Sequence, residues 1–138
     1  MTLDGGKVAV RLISGEFNGT TGPVTSLTDI HMTSLHFKKG GALDFAVAAD
    51  RNILFYVVNG SLNVNGQTAG THTLVEFDDD GENIRVEAAE DSVVIFVHGR
   101  PYNENIVAHG PFVMNSQTEI MQAMRDYQMG KMGVWTEG

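Results

Sequence analysis

His98-Gly99-Arg100-Pro101-Tyr102-Asn103-Glu104 and, a few residues on, Gly110-Pro111-Phe112-Val113-Met114-Asn115-Ser116-Gln117-Thr118-Glu119-Ile120 form the stretch on which the reading of this chain turns. Its second half contains a helix start. Ser116 followed three residues later by Glu119 is a capping-box pattern, in which each side chain satisfies a backbone N–H that the first helical turn leaves without a partner. Ile120, Met124 and Tyr127 follow at i, i+4 and i+7 with Ala123 beside them, a stripe expected to pack on a β body. Gly130 is placed to end the helix in a left-handed conformation. Five of the seven methionines lie from Met114 onward, where adaptable apolar packing is the plain reading.

Upstream of this stretch the pattern changes from helical to extended. Val93-Val94-Ile95-Phe96-Val97 is apolar on both faces, as befits a central strand covered on both sides. Ile53 to Val58 is a second unbroken apolar run. Asn59-Gly60 after it predicts a type I′ hairpin turn with Ser61 to Val64 returning antiparallel, and Asn65-Gly66 repeats the turn chemistry. Further strands are expected at Lys7 to Ile13, Asp29 to Phe37, Ala42 to Ala49, Thr73 to Phe77 and Ile84 to Glu87. In Asp29 to Phe37, alternation places His31, Thr33, Leu35 and Phe37 on the core face and His36 on the other. Ser14 to Pro23 reads as a loop, and Asp78-Asp79-Asp80-Gly81 as a turn. About eight short strands with Gly, Asn and Asp turns make a meander suited to a sandwich or barrel, the jelly roll among them.

Composition sets the outer limits. The 138 residues, 42% hydrophobic, suffice for one core, so residues 1–138 are read as a single domain. A net charge of −8 with no basic cluster beyond Lys38-Lys39 argues against direct binding of nucleic acid. No cysteine is present, which excludes disulfides and thiolate metal ligands. No apolar run approaches membrane-spanning length and Met1 to Gly6 does not read as a signal peptide, so a cytoplasmic location is expected. The Asn18-Gly19-Thr20 sequon then carries no weight.

The His98 to Glu104 and Gly110 to Asn115 segments, with the capped helix and Asp126-Tyr127, resemble the C-terminal half of pirins. Val10 to Gly19 is similar to the opening of that half, and Val57 to Gly70 to its central hairpin. Asn105 and His109 depart from the pattern beside the signature loop. The resemblance implies an all-β cupin fold, a double-stranded β-helix or jelly roll with a C-terminal α-helix. It further implies a two-lobed family whose N-terminal lobe binds iron or another divalent metal through three histidines and a glutamate. Some members cleave quercetin with dioxygen and others are nuclear protein-interaction factors.

Laid on this chain, the first cupin motif, G-x5-H-x-H-x3-E-x6-G, runs from Gly41 to Gly60. Its ligand positions fall on Val47, Ala49 and Ile53, none of which offers a donor, and the second motif puts Gly81 where a histidine belongs. That space is expected to have become dry core. No catalytic, cofactor-binding or metal-binding residue is therefore assigned, and iron or another divalent metal is expected only with a separate N-terminal lobe.

The five histidines are weighed singly. His31 and His36 face opposite sides of one strand, His72 lies in a turn, and His98 and His109 border the signature loop. A rearranged site joining His31 to His72 or His98 stays open. Asp78 to Glu82 lacks the alternation of a calcium loop. Ser14 and Ser61 lack a paired histidine and acid, and Glu16, Glu76, Glu87 and Glu104 show no pairing. The expected function is a non-catalytic structural, dimerisation or protein-interaction lobe, as a homodimer or against a second cupin lobe. The alternatives are a quercetinase-type dioxygenase with non-standard ligands and a metal-free small-ligand cupin.

Overall fold

A computed structural model describes residues 1–78 and 83–133. The chain divides into two units, Met1–Pro101 and one beginning at Tyr102, each treated by itself.

In the first unit the strands are β1 (Thr2–Leu3), β2 (Val8–Ser14), β3 (Glu16–Phe17), β4 (Thr20–Thr21), β5 (His31–Phe37), β6 (Ala42–Ala46) and β7 (Asn52–Asn59). They continue with β8 (Ser61–Val64), β9 (Gln67–Gly70), β10 (Leu74–Val75), β11 (Asn83–Ala88) and β12 (Ser92–Gly99). Two sheets result, ordered β1-β2-β5-β12-β7-β10 and β6-β11-β8-β9, and β3 pairs with β4 inside the segment expected to be loop. This is a sandwich with crossovers, not a meander of sequential neighbours.

Alternation builds its core. Leu35 and Phe37 of β5, Phe55 and Val57 of β7, and Val94 and Phe96 of β12 point inward to meet Leu43, Leu62, Val64, Ile84 and Val86 of the other sheet. Phe96 is the hub of the aromatic packing, edge-on to Phe45 at 4.9 Å and to Phe55 at 6.2 Å between ring centroids. Strand β12 does lie centrally, paired along its length with β5 and β7.

The two Asn-Gly pairs behave differently. Asn65 and Gly66 both take positive φ, 48° and 88°, and close the β8–β9 hairpin as the I′ reading requires. At Asn59-Gly60 only Gly60 has positive φ, 97°, and β8 does not return along β7 but crosses to the other sheet. The reason is contact. A Cβ on Gly60 would overlap the Ser92 side chain, whose buried hydroxyl accepts the Ser61 N–H at 3.1 Å and donates to the Glu90 carbonyl at 2.8 Å.

Strand β6 is also shorter than expected. The chain leaves it at Ala46 and turns through Ala48 to Asp50, with the Arg51 N–H bonded to the Ala48 carbonyl at 3.1 Å.

In the second unit, β13 (Val107–His109) and β14 (Phe112–Met114) form a hairpin against which α1 (Gln117–Gln128) packs. Ser116 accepts the Glu119 N–H at 3.3 Å, but the Glu119 carboxylate takes the Ser116 hydroxyl at 2.8 Å instead of the backbone N–H of a full capping box. Ile120 and Ala123 are buried, while Tyr127 is exposed and meets Phe112 edge-on. At the other end Gly130, with φ 72°, donates to the Tyr127 carbonyl and Lys131 to that of Asp126, both at 2.9 Å, the bond pair of a Schellman stop.

The glycines give a direct test. Gly66→Ala should cost about 1–2 kcal/mol from left-handed backbone strain alone, since nothing lies within 4 Å of the added carbon. Gly60→Ala should cost more than that, because it also displaces the Ser92 hydroxyl and the bonds it holds. Urea denaturation of the two variants should rank them in that order.

Candidate site at the open end of the sandwich

Strands β5 and β12 pair in register so that His31 lies opposite His98, both on the inward face. Their rings stack with centroids 4.4 Å apart, and the His98 ring is tilted against Phe96 at 5.2 Å. Gly15 makes room for this: its φ is +81°, and a Cβ there would fall within van der Waals overlap of the His31 ring.

Arg51 enters from the turn between β6 and β7, its side chain only 9% exposed. A guanidinium is almost never this buried without partners. Its Nε donates to His98 Nδ1 at 2.7 Å, its Nη1 to the Asp29 carboxylate at 2.7 Å, and its Nη2 to the Asp29 carbonyl at 2.8 Å. Asp29 Oδ1 also lies 3.8 Å from His31 Nε2.

The chemistry follows from one constraint. Arginine keeps its protons in proteins, so His98 Nδ1 must present a lone pair and the ring proton sits on Nε2. A second proton on His98 would break the Arg51 bond. Burial, reinforced by the His31 and Arg51 charges and opposed by Asp29, holds the His98 pKa down to about 4. The hydrogen bond from Arg51 holds the Asp29 carboxyl below its usual range.

Beside this cluster is a cavity of about 270 Å³ lined by His31, His98, Arg51, Phe17, Phe45 and Phe96, with Glu16 and Asp44 also at its wall. Asp44 is engaged by Arg85, 3.3 Å from each oxygen, and Glu16 is exposed. A second cavity, about 530 Å³, reaches Val47, Ala49 and Ile53 and is lined as well by Asn52, Asn65 and Gln67.

The expected replacement of the cupin ligands by dry core therefore needs correction. Val47 is buried and Ile53 packs against the core, but Ala49 is exposed on the turn that follows β6. The neighbouring space is part polar. Gly81 and most of the Asp78 to Glu82 run lie outside the described residues.

Of the histidines, His31 and His98 come together and the others do not. His36 faces away, 2.9 Å from the Ser34 hydroxyl, and its pKa is lowered by burial and by Arg11. His72 is exposed at a turn of φ 63°, and His109 is exposed on β13. Ser14 donates to the Ile30 carbonyl at 2.7 Å and Glu104 accepts from Asn115 at 2.9 Å. Arg51 and Asp29 were not singled out by the sequence. An arginine inside the motif span, between the ligand positions Ala49 and Ile53, was the available signal for the first; nothing local marks the second.

The Pirin C-terminal cupin domain matches residues 32–133. The chain belongs to the pirin family. It is 36% identical over 130 residues to a pirin-like protein of Caulobacter vibrioides, covering 93% of this chain and 46% of that one. It is 31% identical to a pirin-like protein of Solanum lycopersicum over 91% of this chain and 45% of that one. A crystal structure of quercetin 2,3-dioxygenase from Acinetobacter baumannii superimposes with a TM-score of 0.89 at 30% identity, over 96% of this chain and 46% of that one. The pirin lobe described here thus has the expected cupin fold, and spans about half the length of the relatives it matches.

The residues of this pirin lobe do not fit a cupin metal. Val47 and Ile53 bring hydrocarbon, Ala49 a methyl group, and Nδ1 of His98 is already committed to a cation. Among the described residues no three His, Asp or Glu side chains are grouped to hold an ion.

The His98 pKa sets a pH window. Between pH 6.5 and about 4 the unfolded chain carries a proton on His98 that the folded chain refuses, so stability falls as pH drops through that window. His98→Asn keeps an acceptor for Arg51 but cannot titrate. The loss of stability from pH 7 to 4.5, measured in urea, should be smaller in the variant than in the parent, and ring NMR should show parental His98 neutral at pH 5.

Proposed function

We propose that this pirin lobe performs no metal chemistry of its own and serves as an interaction module for a second cupin lobe. The observation that carries the first half is the Arg51–His98 bond: a permanent cation at 2.7 Å takes the lone pair a metal would need. A divalent ion would have to displace a nine-tenths buried guanidinium and leave Asp29 without its partner.

The second half is supported by the outer face of the six-stranded sheet. Opposite the buried Phe55 and Val57, β7 presents Leu54, Tyr56 and Val58; Leu74 of β10 pairs with Tyr56, and Ile95 and Val97 of β12 pair with Tyr56 and Leu54. Leu54 and Leu74 are exposed. Leaving such a row in contact with water costs roughly 25 cal/mol per Å² relative to burying it. Relatives of about twice this length supply the argument for what covers it, and in a solution of this chain alone a second copy offers the same kind of lobe.

Protein purified without added metal should hold far less than one equivalent of iron, nickel or zinc and should consume no oxygen in the presence of quercetin. Stoichiometric metal, lost in His31→Ala or His98→Ala, would overturn the non-metal reading. Light scattering should show self-association that Leu54→Glu with Leu74→Glu abolishes while the melting temperature is kept; a stable monomer in the parent counts against the interaction module.

A further inference from the structure

We propose that the 270 Å³ cavity at the open end of the sandwich is a binding site for a small carboxylate with an apolar or aromatic body. It is independent of the outer sheet face, because its walls are the inward side chains of β3, β5, β6 and β12 and the Arg51 turn.

Arg51 and His98 bring donors to the polar end of the cavity, whose wall also carries the acceptors Glu16 and Asp44. Arg51 fixes the His98 tautomer, so that the ring presents Nε2–H and has no lone pair left to offer. Three of the five guanidinium N–H groups bond His98 and Asp29, and the remaining two suit an additional acceptor. His31 completes this end, stacked on His98. A cation finds no ligand set here, whereas an oxygen with several lone pairs meets fixed dipoles that need no reorganisation.

The rest of the wall is aromatic. Phe17 meets Phe45 edge-on at 6.3 Å and Phe45 meets Phe96 at 4.9 Å, leaving a compact apolar lining suited to a ring or short alkyl body. Such a combination of apolar wall with a few convergent polar groups is the usual make-up of a small-ligand site.

Donor supply, not net charge, favours a carboxylate oxygen here, because Asp29 already balances the Arg51 guanidinium. The charged or titratable groups facing the cavity are Arg51, His31, His98, Glu16 and Asp44, with Asp29 behind Arg51. Asp44 is offset by Arg85, and Glu16 is exposed and screened by water. Arg51, which is buried, is screened least and bridges Asp29 to the incoming carboxylate. Because Nε, Nη1 and Nη2 each already donate once, Arg51 offers a ligand oxygen single N–H groups on Nη1 and Nη2.

Benzoate is the probe. Titrated into ¹⁵N-labelled protein at pH 7, it should shift the His98 ring and Arg51 Nε signals saturably. Benzamide, the neutral isostere, should bind about tenfold more weakly. His98→Asn retains the Arg51 acceptor, but its shorter amide cannot place an N–H where the ring Nε2–H lies, and it should weaken benzoate about tenfold while the chain stays folded by circular dichroism. Glu16→Gln should tighten binding severalfold at low salt by removing a like charge. Absence of a saturable shift, equal binding of benzamide, or an unaltered affinity in His98→Asn would each overturn the proposal. None of these outcomes depends on metal content or self-association, so it can fail while the interaction module stands, and the reverse.

Discussion

Strand β12 is hydrogen-bonded on both sides, to β5 and to β7, and this double pairing fixes what every neighbouring side chain can do. Because strand side chains alternate, Val94, Phe96 and His98 share one face: the first two become core, and the third reaches the end of the sandwich, where apolar filling stops. The register then places His31 opposite His98 with no freedom to choose another partner. Slipping the pairing by one residue would turn Phe96 and His98 outward together, so the stability of the core and the geometry of the histidine pair rest on the same hydrogen bonds.

Arg51 converts that geometry into a definite chemical state. Two imidazole rings and a carboxylate lie together here, His31 stacked on His98 and 3.8 Å from Asp29. Here the guanidinium supplies positive charge to the carboxylate and a proton to the imidazole nitrogen, with no coordination sphere to complete. The cost of burying the cation is offset by two charge-assisted bonds to Asp29 and one to His98, and Asp29 keeps contact with water. An arginine in this role cannot exchange its centre for another, as a metal site can. It fixes the ring proton of His98 on Nε2 in the wall of the pocket.

Much of the fold was legible in the residues, and its limits have physical causes. The inward face of Asp29 to Phe37, the central position of Ser92 to Val97 and the capped helix with its Gly130 stop were all readable because each depends on local periodicity or on a single cap. Asn59-Gly60 was misread because the same dipeptide suits a I′ turn or a close approach. Only the long-range contact with Ser92 distinguishes them. Ala49 was misplaced because a motif spacing assumes that β6 continues, whereas the chain bends after Ala46.

The site was harder to read than the fold for a related reason. His31 and His98 are 67 positions apart and Asp29 and Arg51 are 22 apart, so no window of sequence contains the constellation. Their meeting is a property of sheet register. The expectation drawn from Val47, Ala49 and Ile53 concerned those three positions alone, and it did not follow that the interior lacked polar groups. When metal ligands give way to hydrocarbon, the histidines of other strands no longer have an ion to organise them, and a buried pair of imidazoles would carry unsatisfied nitrogens. Arg51 answers that need at one nitrogen of a ring that lines the cavity. The polarity of the cavity thus arises from how this pirin lobe stabilises its histidines.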